Sequence, residues 1–181
     1  YDLTEQILED SIHQGNESPP AYLDEMDGLQ SELFRQAGES ATWLYQQGYR
    51  GAGSVDFLVT RHADGSFNTY VCEINARVTG ATYPSVLARH FLPEGAWRMR
   101  NFELSVPLSG DSLLDMLRAH GELFDPGLRT GILPINFNLD RDGLVLKGQF
   151  LAIAPELPEC RRLLDIGRHD LPIAWNYTHD R

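Results

Sequence analysis

Ser54-Val55-Asp56-Phe57-Leu58-Val59-Thr60-Arg61, then His62-Ala63-Asp64-Gly65-Ser66, then Asn68-Thr69-Tyr70-Val71-Cys72-Glu73-Ile74-Asn75-Ala76-Arg77 is the stretch that decides the fold. Two β-rich runs flank an Asp-Gly pair, a strong short-range hairpin signal because these residues tolerate the positive φ of a tight turn. With Asp64 and Gly65 as the two central turn residues, Asp56 falls directly opposite Glu73. Alternation of side chains then puts Glu73, Asn75 and Arg77 on one face and Tyr70, Cys72 and Ile74 on the other. The second face reads as core, with Cys72 as buried packing. A three-residue loop with a bulge shifts the pairing by one position, so the register is conditional on the turn.

Like charges directly opposite on a sheet repel at Cβ separations of about 4.5–5.5 Å. Two carboxylates and an amide converging at that spacing suit a hard cation. Mg²⁺ fits best, because it takes one or two carboxylates together with phosphate oxygens rather than a closed protein cage. Arg77, one strand step on, is placed to hold a phosphate oxygen. A solvent-facing sheet whose charges point to water is the competing reading of the same face.

Outward from the hairpin, residues 1–22 read as a short strand-like lead-in followed by a turn-rich stretch, Gln14-Gly15-Asn16-Glu17-Ser18-Pro19-Pro20. From Asp24 to about Gln47, Met26, Leu29, Leu33, Ala37, Ala41 and Leu44 recur at helical spacing, with a break or cap expected near Gly38 and an end at Gly48. Downstream, the expected elements are a helix over 84–90, a strand over 102–107 and a helix over 113–120. A second hairpin over 132–138 and 144–153 turns at Asp140-Arg141-Asp142-Gly143, a helix covers 158–165, and the tail is irregular. The class is α+β with an antiparallel sheet flanked by helices. The chain reads as a single domain over 1–181: a lead-in over 1–23, a helix, hairpin and helix over 24–107, and a second hairpin and tail over 108–181.

The 181 residues carry a net charge of −11, 42% hydrophobic and 23% charged residues, enough apolar content for a sizeable core. The acidic balance argues against nucleic-acid or membrane-surface partners, which need basic stripes. The basic residues are 14 arginines and a single lysine, Lys147, while residues 1–40 hold ten Asp/Glu against one Arg. Cys72 and Cys160 form no disulfide framework and no metal-type spacing, so a reducing, cytoplasmic setting is expected. No apolar run approaches the ~18 residues of a membrane span.

Gly51-Ala52-Gly53-Ser54-Val55-Asp56-Phe57-Leu58-Val59, Tyr70-Val71-Cys72-Glu73-Ile74-Asn75-Ala76-Arg77 and Thr79-Gly80 together resemble the C-terminal half of an ATP-grasp fold. The resemblance implies that Asp56, Glu73 and Asn75 bind the Mg²⁺ of MgATP, with Mn²⁺ as a substitute, and that Arg77 contacts the transferring phosphate. Ala76 stands where the family often has Pro. Ser11-Ile12-His13-Gln14-Gly15-Asn16 is similar to the His-x-Gly-Asp/Asn turn of some members, which makes His13 an ATP contact; an exposed loop histidine is the alternative. The combination is closest to the pheganomycin-type peptide ligases and their actinobacterial relatives. The implied reaction is activation of a carboxylate by ATP to an acyl-phosphate, followed by attack of an amine. Phosphoryl transfer of this kind needs positioning and charge stabilisation more than a protein nucleophile.

The lysines and glycine-rich loop that such enzymes use for the nucleotide have no counterpart here, and Lys147 does not match them. The expectation is a C-terminal part that works with upstream subdomains of a longer enzyme and is inactive alone. Carboxylate and amine small molecules or peptides are the expected partners, and a homodimer is compatible. Two other functions share the motif: a non-catalytic nucleotide- and metal-binding module, and a divalent-metal-dependent hydrolase using Asp56 and Glu73. Elsewhere, His62, Asp64 and Gly65 read as turn residues, and Arg89, His90, Arg98 and Arg100 as surface charges or anion contacts. Thr79-Gly80 is a plain loop or an anion site at a helix start. Trp43, Trp97 and Trp175 read as core or interface filling.

Overall fold

The computed structural model describes residues 2–174; the expected irregular tail and Trp175 lie outside the described residues. Seven strands and four α-helices follow in the order β1 (Glu5–Glu9), β2 (Ile12–Ser18), α1 (Leu29–Gln46), β3 (Ser54–Arg61), β4 (Phe67–Asn75), α2 (Thr82–Phe91), β5 (Ala96–Leu108), α3 (Gly110–Ala119), β6 (Gly131–Leu139), β7 (Val145–Ala154) and α4 (Leu157–Asp170). The class is α+β, with a five-stranded antiparallel sheet in the order β1-β2-β5-β7-β6 and a separate two-stranded β3-β4 sheet. The chain forms two compact units, one of Tyr1–Pro19 with Pro84–Arg181 and one of Pro20–Tyr83. No helix is long and apolar enough to cross a membrane among the described residues.

In the larger unit one sheet face and the helices α3 and α4 build the main core. Phe102, Leu104, Phe150, Ala152 and Ala154 from the strands meet Leu113, Leu117, Leu157, Cys160 and Leu164 from the helices. The Phe102 and Phe150 rings lie 5.3 Å apart, tilted by 40°, and Phe137 lies 6.5 Å from Phe150. Gly148 makes room for that cluster, since a Cβ there would lie 2.8 Å from the Phe137 ring. Fully buried Glu17 is held by Arg98 and Arg161, which offsets the cost of removing its charge from water. Asp2 similarly accepts from Arg89 Nε at 2.7 Å and Trp97 Nε1 at 3.0 Å. Arg89, Arg98 and Arg100 are therefore engaged in ion pairs within this unit, Arg100 with Glu9.

Residues 14–18, expected as a turn, are instead the inner part of β2, paired to β1 on one side and β5 on the other. The turn lies one step earlier, at Asp10 and Ser11, both with positive φ (50° and 64°). Gly15 permits the pairing: a Cβ there would sit 1.9 Å from the Met99 carbonyl oxygen. Strand β5 is also longer than expected, running over Ala96–Leu108, with Arg98 and Arg100 taken up in ion pairs with Glu17 and Glu9.

In the smaller unit α1 runs through Gly38 without a break and stops at Gln47 and Gly48, whose φ is +90°. Gln36 Nε2 donates to Thr69 Oγ1 at 2.6 Å, and Arg61 Nη1 to Glu25 Oε2 at 2.8 Å, tying α1 and the turn before it to the hairpin.

Candidate functional site

Glycines open the hairpin that carries the predicted site. Gly53 precedes β3, where a Cβ would come within 3.0 Å of the Asn75 carbonyl oxygen. From there the register is Ser54 opposite Asn75, Val55 opposite Ile74 and Asp56 opposite Glu73, as the sequence predicts. The route to that register differs from the expectation. His62 N donates to Ser66 O at 2.8 Å and Gly65 N to His62 O at 3.0 Å, so Ala63, Asp64 and Gly65 form a three-residue loop. Near the turn the pairs are accordingly shifted by one: Leu58 opposite Tyr70, and Phe57 opposite Val71. A bulge at Cys72 then restores the offset, so two irregularities cancel and Asp56 meets Glu73.

The bulge corrects the reading of the reverse face. Leu58 shares the face of Asp56, two residues along β3, and its partner Tyr70 therefore joins Glu73 instead of lying behind it. Tyr70 is 51% exposed and Ile74 37%, and Cys72 is exposed, so none of these three is the buried packing expected from simple alternation. Thr69 lies on the opposite face with Val59 and Val71, which is where α1 is anchored. The unit's own helix thus covers one side of the hairpin and leaves the acidic side uncovered by it.

On that acidic side stand Ser54, Asp56, Glu73 and Asn75. Glu73 is exposed, Asp56 half-buried and Asn75 6% exposed. Ser54 is the residue that sequence reasoning missed, although its parity with Asp56 and its position opposite Asn75 both follow from the predicted register. Its Oγ is buried and has no hydrogen-bond partner among the described residues, an unusual state for a hydroxyl in a folded protein. Two carboxylates, a carboxamide and an orphaned hydroxyl form an oxygen-rich donor set, which fits Mg²⁺ or Mn²⁺ and not a thiophilic metal. No group of three or more His, Cys, Asp and Glu is arranged to hold a metal among the described residues. A cation at this face would therefore draw its remaining ligands from phosphate and water.

Arg77 follows β4 in an exposed bend, its Nη1 donating only weakly to the Val78 carbonyl at 3.4 Å, and it pairs with no carboxylate among the described residues. Thr79 N donates to Thr82 Oγ1 at 3.0 Å, so that backbone donor is already used at the start of α2. His13 belongs to the other unit. It lies exposed on β2, with Nε2 2.8 Å from Asn16 Oδ1, in a strand and not in the expected turn. The structure thus brings together Asp56, Glu73 and Asn75 with Ser54, and places His13 on a separate sheet.

No protein-family model matches the chain, and no curated protein matches it. Among solved structures the fold is similar to biotin carboxylase from Campylobacter jejuni, crystallised as a β-γ-ATP complex, with a TM-score of 0.51 at 15% identity. The match covers 93% of this chain and 41% of that one, so the chain spans about two-fifths of the carboxylase it resembles. Biotin carboxylase is an ATP-grasp enzyme. The fold of this chain is ATP-grasp-like.

Proposed function

We propose that the chain is the magnesium- and nucleotide-phosphate-binding part of an ATP-dependent carboxylate–amine ligase of the peptide-ligase type. The observation that carries this reading is the shared face of Ser54, Asp56, Glu73 and Asn75, within a fold similar to an enzyme crystallised with an ATP analogue. Asp56, Glu73 and Asn75 hold the cation, and Ser54 Oγ gains there the partner it otherwise lacks. Bound Mg²⁺ supplies charge neutralisation and orientation of the phosphates. Arg77 reaches the transferring phosphoryl group and stabilises its charge as a carboxylate becomes an acyl-phosphate; the amine then displaces phosphate to give an amide. Leu58 and Tyr70, half exposed one step along the same face, offer an apolar platform for a planar ring. His13 is a further nucleotide contact in this reading.

The groups that would grip adenine and the distal phosphates come from other parts of a longer enzyme, working in a reducing, cytoplasmic compartment in keeping with two free cysteines. The test is ADP release by the complete enzyme. It is expected to require Mg²⁺, a carboxylate and an amine together, and to be lost in Glu73→Gln and Asn75→Ala variants that keep their fold. MgATP binding with no ADP release for any carboxylate–amine pair would make the chain a binding module. Phosphate release from a phosphoester without ATP would make it a hydrolase.

A further inference from the structure

Strands β5, β7 and β6 share a pattern that the hairpin does not explain: Asn101-Phe102-Glu103, Lys147-Gly148-Gln149 and Asn136-Phe137-Asn138. In each, a polar pair brackets a residue turned to the core. The register aligns them into two rungs on the opposite face of the sheet. Asn136 opposes Gln149, which opposes Asn101; Asn138 opposes Lys147, which opposes Glu103. Gln149 Nε2 donates to Asn101 Oδ1 at 3.2 Å, fixing the first rung. The preceding rung on that face, Leu133, Leu151 and Met99, is apolar, with Leu151 and Met99 fully buried.

These rungs wall a cavity of about 440 Å³ in the larger unit, a volume in the range of small-molecule sites. Residues 12–14 of β2 border it on one side. On the other, Ala174 N donates to Glu103 O at 2.8 Å, which seats Ile173 and Ala174 against β5. Glu103 and Lys147 are direct cross-strand neighbours of opposite charge, a pairing that sheets favour. Yet neither side chain is in an ion pair or hydrogen bond among the described residues. Among the described residues the only other full charges on the cavity wall, Glu9 and Arg100, pair with each other. The wall therefore presents one available carboxylate and one available ammonium side by side, surrounded by carboxamides.

We infer that this cavity is a binding site for a zwitterionic ligand, a free amino acid or a short peptide. Its carboxylate is taken by Lys147 and its ammonium by Glu103, with the carboxamides satisfying the remaining polar atoms. The site uses no residue of the hairpin and shares only His13 with the nucleotide contacts proposed above, and a titration without nucleotide tests it separately from the ligase reading.

The test is NMR titration of the chain, without metal or nucleotide, with glycine, triglycine, N-acetylglycine and glycinamide. The two zwitterions are expected to shift amides around Asn101, Glu103, Lys147 and Gln149. Each blocked probe is expected to bind about two- to fivefold more weakly, the scale of one lost charge pair in an open site. Tighter binding of glycine identifies an amino-acid site, and tighter binding of triglycine a peptide site. Glu103→Gln should equalise glycine with N-acetylglycine, and Lys147→Gln should equalise glycine with glycinamide. The double exchange Glu103→Lys with Lys147→Glu should restore zwitterion preference, which a purely structural role would not. Equal affinity for blocked and unblocked probes in the unmodified chain, or shifts confined elsewhere, would overturn the inference.

Discussion

Asp56 and Glu73 stand directly opposite each other across the hairpin because a three-residue turn and a bulge at Cys72 offset one another. Their juxtaposition works against the fold when no cation is present. Replacing Glu73 by Gln is therefore expected to stabilise the metal-free chain by about 0.2–1 kcal/mol, and to remove the stabilisation that Mg²⁺ with ATP gives the unmodified protein. Denaturant melts with and without MgATP measure both effects. Destabilisation of the metal-free chain by this substitution would mean that the two carboxylates do not repel.

Ser54 Oγ should show the same opposition between stability and binding. Its hydroxyl is buried without a partner among the described residues, a state that costs about 1–3 kcal/mol for a buried polar group. Ser54→Ala is expected to leave the metal-free chain as stable or more stable, while weakening Mn²⁺ binding several-fold. Calorimetric titration with Mn²⁺ and ATP checks the second half. Unchanged affinity would remove Ser54 from the donor set.

Gly15 tests why β2 is a strand. A methyl group there would collide with the Met99 carbonyl 1.9 Å away, forcing β2 and β5 apart. Gly15→Ala should destabilise the larger unit by about 1–3 kcal/mol or more, read as a lower midpoint in thermal or denaturant unfolding. Gly38→Ala, where a Cβ meets nothing within 4 Å inside α1, should stabilise by up to about 1 kcal/mol.

The two thiols should separate cleanly by reactivity. Cys160 is fully buried, donates to the Ala96 carbonyl at 3.3 Å, and its thiol is pushed up to about 12 by burial. Cys72 sits exposed at the bulge. Iodoacetamide near pH 8 is expected to modify Cys72 in the native chain and Cys160 only after unfolding, as read by peptide mass spectrometry. Native modification of Cys160 would contradict the packing of α4 on β5.

The hairpin that carries the candidate site was legible because two independent regularities coincide there: turn chemistry at Asp64-Gly65 and the Glu73-x-Asn75 spacing. The opposition of Asp56 and Glu73 matches the register expected from a two-residue turn only because the three-residue loop and the bulge cancel. The fate of Tyr70 and Cys72 was not legible, because a bulge reverses alternation locally and leaves no mark in residue type. Residues 14–18 were misread since Gly15-Asn16 has turn chemistry, and only the tertiary approach of Met99 shows why a glycine is needed in a strand. The second polar face was legible in principle, as three polar-x-polar triplets, but connecting them required the order β5-β7-β6. A long-range order of that kind is set by packing and not by local pattern.

The central claim, that the hairpin's acidic face holds a divalent cation with nucleotide phosphates, is tested most directly by paramagnetic NMR with substoichiometric Mn²⁺ and ATP. The account predicts selective broadening of amides at residues 54–56 and 73–75, abolished in the Asp56→Asn, Glu73→Gln double variant. Broadening that spares these residues, or survives unchanged in the variant, would contradict it.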